Sequence, residues 1–134
     1  MIMKKVECKP SGNPDKKRAG IGMPTSLYLQ QFGEILFRAF GEVPYQVGSS
    51  LECTAWRDVD VRIMLPPKDY AAMGFGDPKR PQSNAKWRAY CMAFSELGHK
   101  LTGLPIDFQI QDVDVANEEH DRLRSGLFDL SRVK

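Results

Sequence analysis

The chain has 134 residues, enough for one domain with a hydrophobic core, and its 42% hydrophobic and 27% charged content is typical of globular proteins. A formal net charge of +2 is too small to indicate nucleic-acid binding by itself. No stretch reaches the roughly 20 apolar residues of a membrane span, and the basic N-terminus lacks the apolar segment of a secretory signal, so we expect no membrane association.

Residues 1–23 have the composition of a basic, flexible leader that precedes a single domain at 24–134. They hold six basic and two acidic side chains, and residues 8–23 are rich in proline, glycine and lysine. A short strand at 2–7 could precede this run. The leader is either a solvated tail or a basic arm that contacts nucleic-acid phosphates.

The first predicted element is a helix that begins at residues 24–26 and ends at Gly41. Its apolar residues recur at helical spacing. They are Tyr28, Phe32, Ile35, Leu36 and Ala39.

A short strand at 43–47 leads directly into Gly48-Ser49. Ser49 and Glu52 have the spacing of a capping box, which predicts a short helix at 50–56. A second strand is predicted at 58–65, because Val59, Val61, Ile63 and Leu65 alternate with Asp58, Asp60, Arg62 and Met64.

Proline at 66 and 67 ends this strand, and a long connection with a helical turn at 69–73 and a basic tip, Lys79-Arg80, follows. Ser83 or Asn84 caps the next predicted helix, which Gly103 ends. Its apolar stripe is Trp87, Tyr90, Cys91, Phe94, Leu97 and Leu101. A strand at 106–111 comes next, and a short helical tail begins at Ala116.

Three carboxylates are the candidate catalytic and metal-binding residues. Asp58 and Asp60 point to the same side of their strand, with Cα atoms roughly 6–7 Å apart. Asp107 lies on the polar side of its own strand, so all three converge if the two strands are neighbours. Unpaired acids side by side raise each other's pKa, and bound cations remove that cost. Carboxylate ligands favour Mg²⁺, and two such ions can stabilise an in-line phosphoryl displacement.

The turn before the short helix is a candidate phosphate site. Gly48 allows close backbone approach, Ser49 offers a hydroxyl, and amides from Ser50 onward form an anion site at the helix start. Arg62 shares the face of the acids, where it either pairs with Asp60 or approaches a phosphate.

These motifs resemble those of the nucleotidyltransferase superfamily of the DNA polymerase β type. The family pattern is Gly-Gly or Gly-Ser, a gap, acid-hydrophobic-acid-hydrophobic, and a third acid on a later strand. The resemblance covers residues 24–111, with a gap of eight residues before the first acid. It implies an α+β fold in which helices pack against one face of a mixed sheet.

The resemblance also implies a function. Family members move a nucleoside monophosphate from an NTP to a hydroxyl and release pyrophosphate. Asp58 and Asp60 would bind two Mg²⁺ ions, or Mn²⁺, and Asp107 would bind the catalytic ion. The acceptor could be RNA, a protein or a small molecule. A homodimer or a protein partner could complete the acceptor site, because the chain ends soon after the third acid.

Two alternatives stay open at this point. The first is a degenerate relative that binds a nucleotide, nucleic acid or a partner protein. The second is a two-metal nuclease, which is disfavoured because no Glu-x-Lys follows Asp107. Three widely spaced cysteines without a CxxC pair favour reduced thiols, so we expect a cytoplasmic protein.

Overall fold

A computed structural model describes residues 21–48, 50, 57–119 and 124–128. The predicted strand at 2–7, most of the basic leader, Ser49 and the short helix beyond Ser50 lie outside the described residues, as does most of the tail after Glu119. Ile21, which the prediction assigns to the leader, is buried against the core. The packed part of the chain therefore includes the end of that segment.

The described strands form a four-stranded mixed sheet in the order β3-β2-β1-β4. They are β1 (Tyr45–Val47), β2 (Val59–Leu65), β3 (Ile106–Asp112) and β4 (Ser125–Gly126). β2 pairs antiparallel with β1 and parallel with β3, while β4 pairs antiparallel with β1. Helices pack against this sheet, so the α+β class is confirmed.

Alternation along β2 and β3 separates a buried face from an open face, as predicted, except at Met64, which the alternation assigns to the polar side but which is buried. The buried face carries Val59, Val61, Ile63, Ile106, Phe108 and Ile110. Phe108 anchors it to two helices, because its ring centroid lies 6.0 Å from that of Phe40 and 5.3 Å from that of Phe94. The hydrophobic core therefore lies between these strands and the helices that carry Phe40 and Phe94.

Helix α1 (Thr25–Phe40) ends as predicted at Gly41, whose φ of 75° is the left-handed value that favours glycine at this position. Its buried residues are Leu29, Phe32, Gly33 and Leu36. The predicted apolar stripe is wrong for Tyr28 and Ile35, which are 46% and 42% exposed, and for Ala39, which is also exposed. The buried stripe is rotated because Gly33 packs directly on Leu127, where an added Cβ would lie 2.7 Å from the Leu127 Cβ.

The connection after β2 contains helix α2 (Pro67–Ala72) and a 3₁₀ turn (Pro81–Ser83). Helix α3 (Ala85–Thr102) follows, and the Asn84 side chain caps it by accepting a hydrogen bond of 2.9 Å from the Trp87 amide. The predicted stripe is wrong for Leu97 and Leu101, which are 37% and 41% exposed.

Gly98 explains which face of α3 is buried. A Cβ at this position would lie 2.8 Å from the Phe32 ring, so the helices α1 and α3 are in close contact here. The buried face of α3 consists of Trp87, Cys91, Gly98 and Thr102. Because glycine carries no apolar side chain, the spacing of apolar residues in the sequence does not reveal this contact.

Side chains of α3 cover the outer edge of β3, which has no strand neighbour on that side among the described residues. The Trp87 indole donates to the Ile110 carbonyl oxygen at 2.8 Å, and the Ser95 hydroxyl accepts from the Phe108 amide at 2.9 Å. Between them the backbone of Ile110 hydrogen-bonds to Cys91, although burial still raises the pKa of this thiol to about 11. Trp87, Cys91 and Ser95 are spaced by four and lie on one face of α3. This face therefore supplies hydrogen-bond partners for backbone groups at the outer edge of β3.

Helix α4 (Val113–Glu119) begins directly after β3, three residues earlier than predicted. Asp112 ends the strand, and its Oδ1 atom accepts hydrogen bonds from the amides of Asp114 and Val115 at 2.8 and 3.2 Å. The sequence DVDV at 112–115, which repeats that at 58–61, therefore forms the turn into this helix. Within the described residues, no helix has the length and apolar content that crossing a membrane would require.

Candidate functional site

The open face of the sheet carries two of the three predicted carboxylates side by side. Asp60 of β2 and Asp107 of β3 are register partners in the parallel pair. Directly paired residues on neighbouring strands project to the same face, with backbones about 4.8 Å apart. The parallel register therefore brings together two acids that are 47 positions apart in the sequence.

Register assigns the remaining members of the open face. Val47 pairs with Asp60, Tyr45 pairs with Arg62, and Arg62 pairs with Gln109. All of these side chains are half-buried. The open face thus includes Tyr45, Val47, Asp60, Arg62, Asp107 and Gln109.

Arg62 lies between the two acids and is 12% exposed. Its Nη2 atom is 3.7 Å from Asp60 Oδ1 and 3.6 Å from Asp107 Oδ2. Its Nη1 atom donates to the carbonyl oxygens of Asp107 and Val61 at 2.6 and 3.1 Å. The guanidinium is therefore held mainly by the backbone, and its contacts with the carboxylates are longer than hydrogen bonds.

The Asp60 carboxyl is the electrostatically strained group of the open face. Burial raises its pKa from 3.8 to about 6, and the charges of Asp107 and Asp58 and a carboxyl–carboxyl hydrogen bond with Asp107 act in the same direction. Arg62 lowers this pKa and offsets part of the rise. Burial is therefore the main reason that the Asp60 carboxyl resists ionisation, and the neighbouring acids add to this effect despite Arg62.

Gly48 brings the turn after β1 into direct contact with Asp60. Its φ is 79°, a left-handed value that glycine tolerates best. A Cβ at Gly48 would collide with Asp60 Oδ2 and lie 3.3 Å from Asp60 Cγ. The absence of a side chain at this position thus makes room for the carboxylate.

The other predicted site residues that the structure describes, Asp58 and Ser50, are less closely associated with the Asp60–Asp107 pair. Asp58 precedes β2 and is exposed, although its charge still acts on Asp60. Over the described ranges there is no group of three histidine, cysteine, aspartate or glutamate residues that could hold a metal ion. Ser50 is fully buried, and its hydroxyl accepts from the Gln46 side chain at 3.1 Å, so it is not presented on the open face.

A groove of about 620 Å³ runs beside the carboxylates, between α3 and the edge of β3. Asp107 and Gln109 lie at one side of it, and Trp87, Met92, Ser95 and His99 lie along the helical side. The sequence pattern places Gln109 on the same side of its strand as Asp107, two residues away, but it indicates neither Tyr45 nor this groove. The groove depends on the position of α3.

Comparison with known proteins adds no relative, since the chain matches no protein-family model, no curated protein and no solved structure. Function therefore has to be inferred from the geometry of the open face.

Proposed function

We propose that the chain is a Mg²⁺-dependent nucleotidyltransferase that moves a nucleoside monophosphate from an NTP to a hydroxyl acceptor and releases pyrophosphate. One observation carries this proposal. Asp60 and Asp107 share a rung of the sheet, and the Gly48 turn packs against the Asp60 carboxylate. An acidic pair beside a glycine turn is suited to bind metal ions and a triphosphate together.

The residues of the open face fit Mg²⁺ in charge and ligand chemistry. Carboxylate oxygens are ligands that Mg²⁺ prefers, and a cation would relieve the repulsion by which Asp107 and Asp58 add to the burial-raised pKa of Asp60. Arg62 leaves the carboxylate oxygens available, because its short hydrogen bonds go to backbone carbonyls. Asp60 and Asp107 would hold the ion, whereas the exposed Asp58 forms no three-residue metal group with them.

Each residue has a role in this proposal. Bound Mg²⁺ would neutralise phosphate charge and polarise the phosphoryl group. Gly48 would let its backbone approach a phosphate, Ser49 would donate its hydroxyl, and Arg62 would orient the acids. Asp107 would accept the proton of the acceptor hydroxyl. The acceptor class remains RNA, a protein or a small molecule.

A specific observation favours a second candidate function, a nucleotide-binding module without catalysis. Arg62 contacts both carboxylates, and the described residues form no three-ligand metal group. In such a module the guanidinium would supply the positive charge in place of metal ions. Nucleotide binding would then be independent of Mg²⁺.

The test of catalysis is pyrophosphate release by the purified full chain with each NTP, Mg²⁺ and a set of hydroxyl acceptors. We expect release that Asp60→Ala lowers at least about 100-fold, because one ligand of the reacting centre is lost. Asp114→Ala is the matched control, since Asp114 is an exposed acid in the other DVDV sequence and should leave the rate unchanged. Equal rates for the wild type and Asp60→Ala would exclude this assignment.

Thermal stabilisation by NTPs separates the two candidate functions. A ligand that binds only the native state raises its stability by mass action. The transferase predicts NTP stabilisation that requires Mg²⁺. The non-catalytic module predicts stabilisation that persists in EDTA and is lost in Arg62→Ala.

A further inference from the structure

The peptide bond between Asp107 and Phe108 is held from both sides. On the β2 side, the Asp107 carbonyl oxygen accepts from Arg62 Nη1 at 2.6 Å. On the α3 side, the Phe108 amide donates to Ser95 Oγ at 2.9 Å. Because a peptide unit is planar, two hydrogen bonds at its opposite ends fix its orientation.

This orientation determines where the Asp107 carboxylate lies. The Asp107 Cα is part of the clamped peptide unit, so rotation of that plane would move the side chain relative to Asp60. The Asp107 side chain is 41% exposed, and among the described residues it lies 3.6 Å from Arg62 Nη2, 3.4 Å from Gln109 Nε2 and in a carboxyl–carboxyl hydrogen bond with Asp60. The contacts with the two donor side chains are longer than typical hydrogen bonds, so the position of the carboxylate depends strongly on its backbone.

The amide that Ser95 satisfies has no strand partner on its own side. Phe108 N–H points away from β2 to the outer edge of the sheet, where α3 replaces a fifth strand in the described part of the chain. Ser95 is half-buried in the third turn of α3, between Cys91 and His99. Its hydroxyl is well placed because α3 is itself anchored to the same strand through Trp87 and Ile110.

We infer that Ser95 is a positioning residue, which orients the Asp107 carboxylate for nucleotidyl transfer by binding the Phe108 amide from outside the sheet. Ser95 acts through the backbone and contacts no reacting group. This inference rests on the proposed function, but the hydrogen bond itself can be tested without catalysis.

The experiment compares Ser95→Ala, Ser95→Thr and Ser95→Cys with Ser26→Ala, which removes a hydroxyl of α1 bonded to Met23. Hydrogen exchange of the Phe108 amide is measured by NMR on the metal-free chain. We expect exchange about tenfold faster in Ser95→Ala than in the wild type, with the Ile63 amide unchanged. Ser95→Thr keeps the acceptor and should restore protection, and Ser26→Ala should have no effect.

Pyrophosphate release gives the second measurement. Ser95→Ala should lower kcat about tenfold and change the KM for NTP less than about twofold, because a misplaced carboxylate affects the reacting geometry more than substrate binding. Ser95→Thr should recover the rate. If Ser95→Ala fails to fold, Ser95→Cys, which is slightly larger than serine and a weaker acceptor, should show smaller changes in the same direction.

Unchanged exchange of the Phe108 amide in Ser95→Ala would overturn the inference, as would a normal kcat in an active enzyme. A wild type that releases no pyrophosphate would overturn the proposed function and with it the catalytic role of Ser95. Fast exchange in Ser95→Ala would then still establish the hydrogen bond, so the two failures are distinguishable.

Discussion

Gly48 and Asp60 constrain each other at the scale of single residues. The turn after β1 has a left-handed backbone at Gly48, and the Asp60 carboxylate occupies the space that a side chain at this position would fill. The sequence indicated both residues, because glycine before an acid-hydrophobic-acid strand has a family precedent. Their direct contact could not be predicted, because it depends on the antiparallel pairing of β1 with β2.

We predict that Gly48→Ala destabilises the protein more than Gly41→Ala. Both glycines have similar φ values, 79° and 75°, but nothing lies within 4 Å of a Cβ at Gly41. Gly41→Ala should cost about 1–2 kcal/mol for the left-handed backbone alone. Gly48→Ala should cost at least about 1 kcal/mol more, because the new methyl group displaces the Asp60 carboxylate.

Urea unfolding of both variants measures this difference. Equal losses in the free energy of unfolding would show that the Asp60 carboxylate does not occupy the space above Gly48.

The raised pKa of Asp60 predicts a pH-dependent stability. Between about pH 4 and pH 6 the folded chain binds more protons at Asp60 than the unfolded chain, because the pKa is about 6 when folded and 3.8 in the ordinary state. Stability contributed by this group is therefore present below pH 4 and is lost as the pH rises through 6. The full difference is on the order of 2–3 kcal/mol, since one pKa unit corresponds to about 1.4 kcal/mol.

Asp60→Asn should remove this dependence. In EDTA, the free energy of unfolding of Asp60→Asn relative to the wild type should increase by about 1–3 kcal/mol from pH 4.5 to pH 7.5. Asp114→Asn, at an exposed acid, should show a constant difference over the same range. A constant difference for Asp60→Asn as well would contradict the assigned pKa.

At the scale of elements, the strands were more predictable than the helix faces. Strict alternation in β2 and β3 identifies the buried side because side chains project with a period of two, and Val61 and Phe108 are buried accordingly. The helices α1 and α3 begin and end close to their predicted positions, because Asn84, Gly41 and Gly103 act as local signals.

The buried faces of these helices follow from tertiary contacts that local periodicity does not contain. Gly33 and Gly98 lie at close approaches to Leu127 and Phe32, where larger side chains would collide. Leucine and isoleucine residues beside them are displaced toward solvent, including Ile35 and Leu97. The spacing of apolar residues indicates that each helix has an apolar stripe, but it does not identify a buried face that is centred on a glycine.

At the scale of the whole molecule, the site depends on sheet order and register. The sequence pattern predicted that Asp60 and Asp107 each lie on the polar side of their own strand. It did not predict that the two strands pair in parallel, which is what makes these two residues register partners. The position of Arg62 between them, and of Ser95 behind β3, also requires the assembled sheet and α3. Function therefore has to be argued from the assembled face, not from the spacing of the motifs.

The most direct test of the central claim locates the metal–nucleotide complex on the folded chain. Mn²⁺ replaces Mg²⁺, and its paramagnetism broadens NMR signals of nearby amides in the presence of a non-hydrolysable NTP analogue. We predict broadening centred on Gly48, Asp60 and Asp107, which Asp60→Asn abolishes and Asp114→Asn leaves unchanged. Broadening centred on Asp112 and Asp114, or no site-specific broadening, would contradict the account.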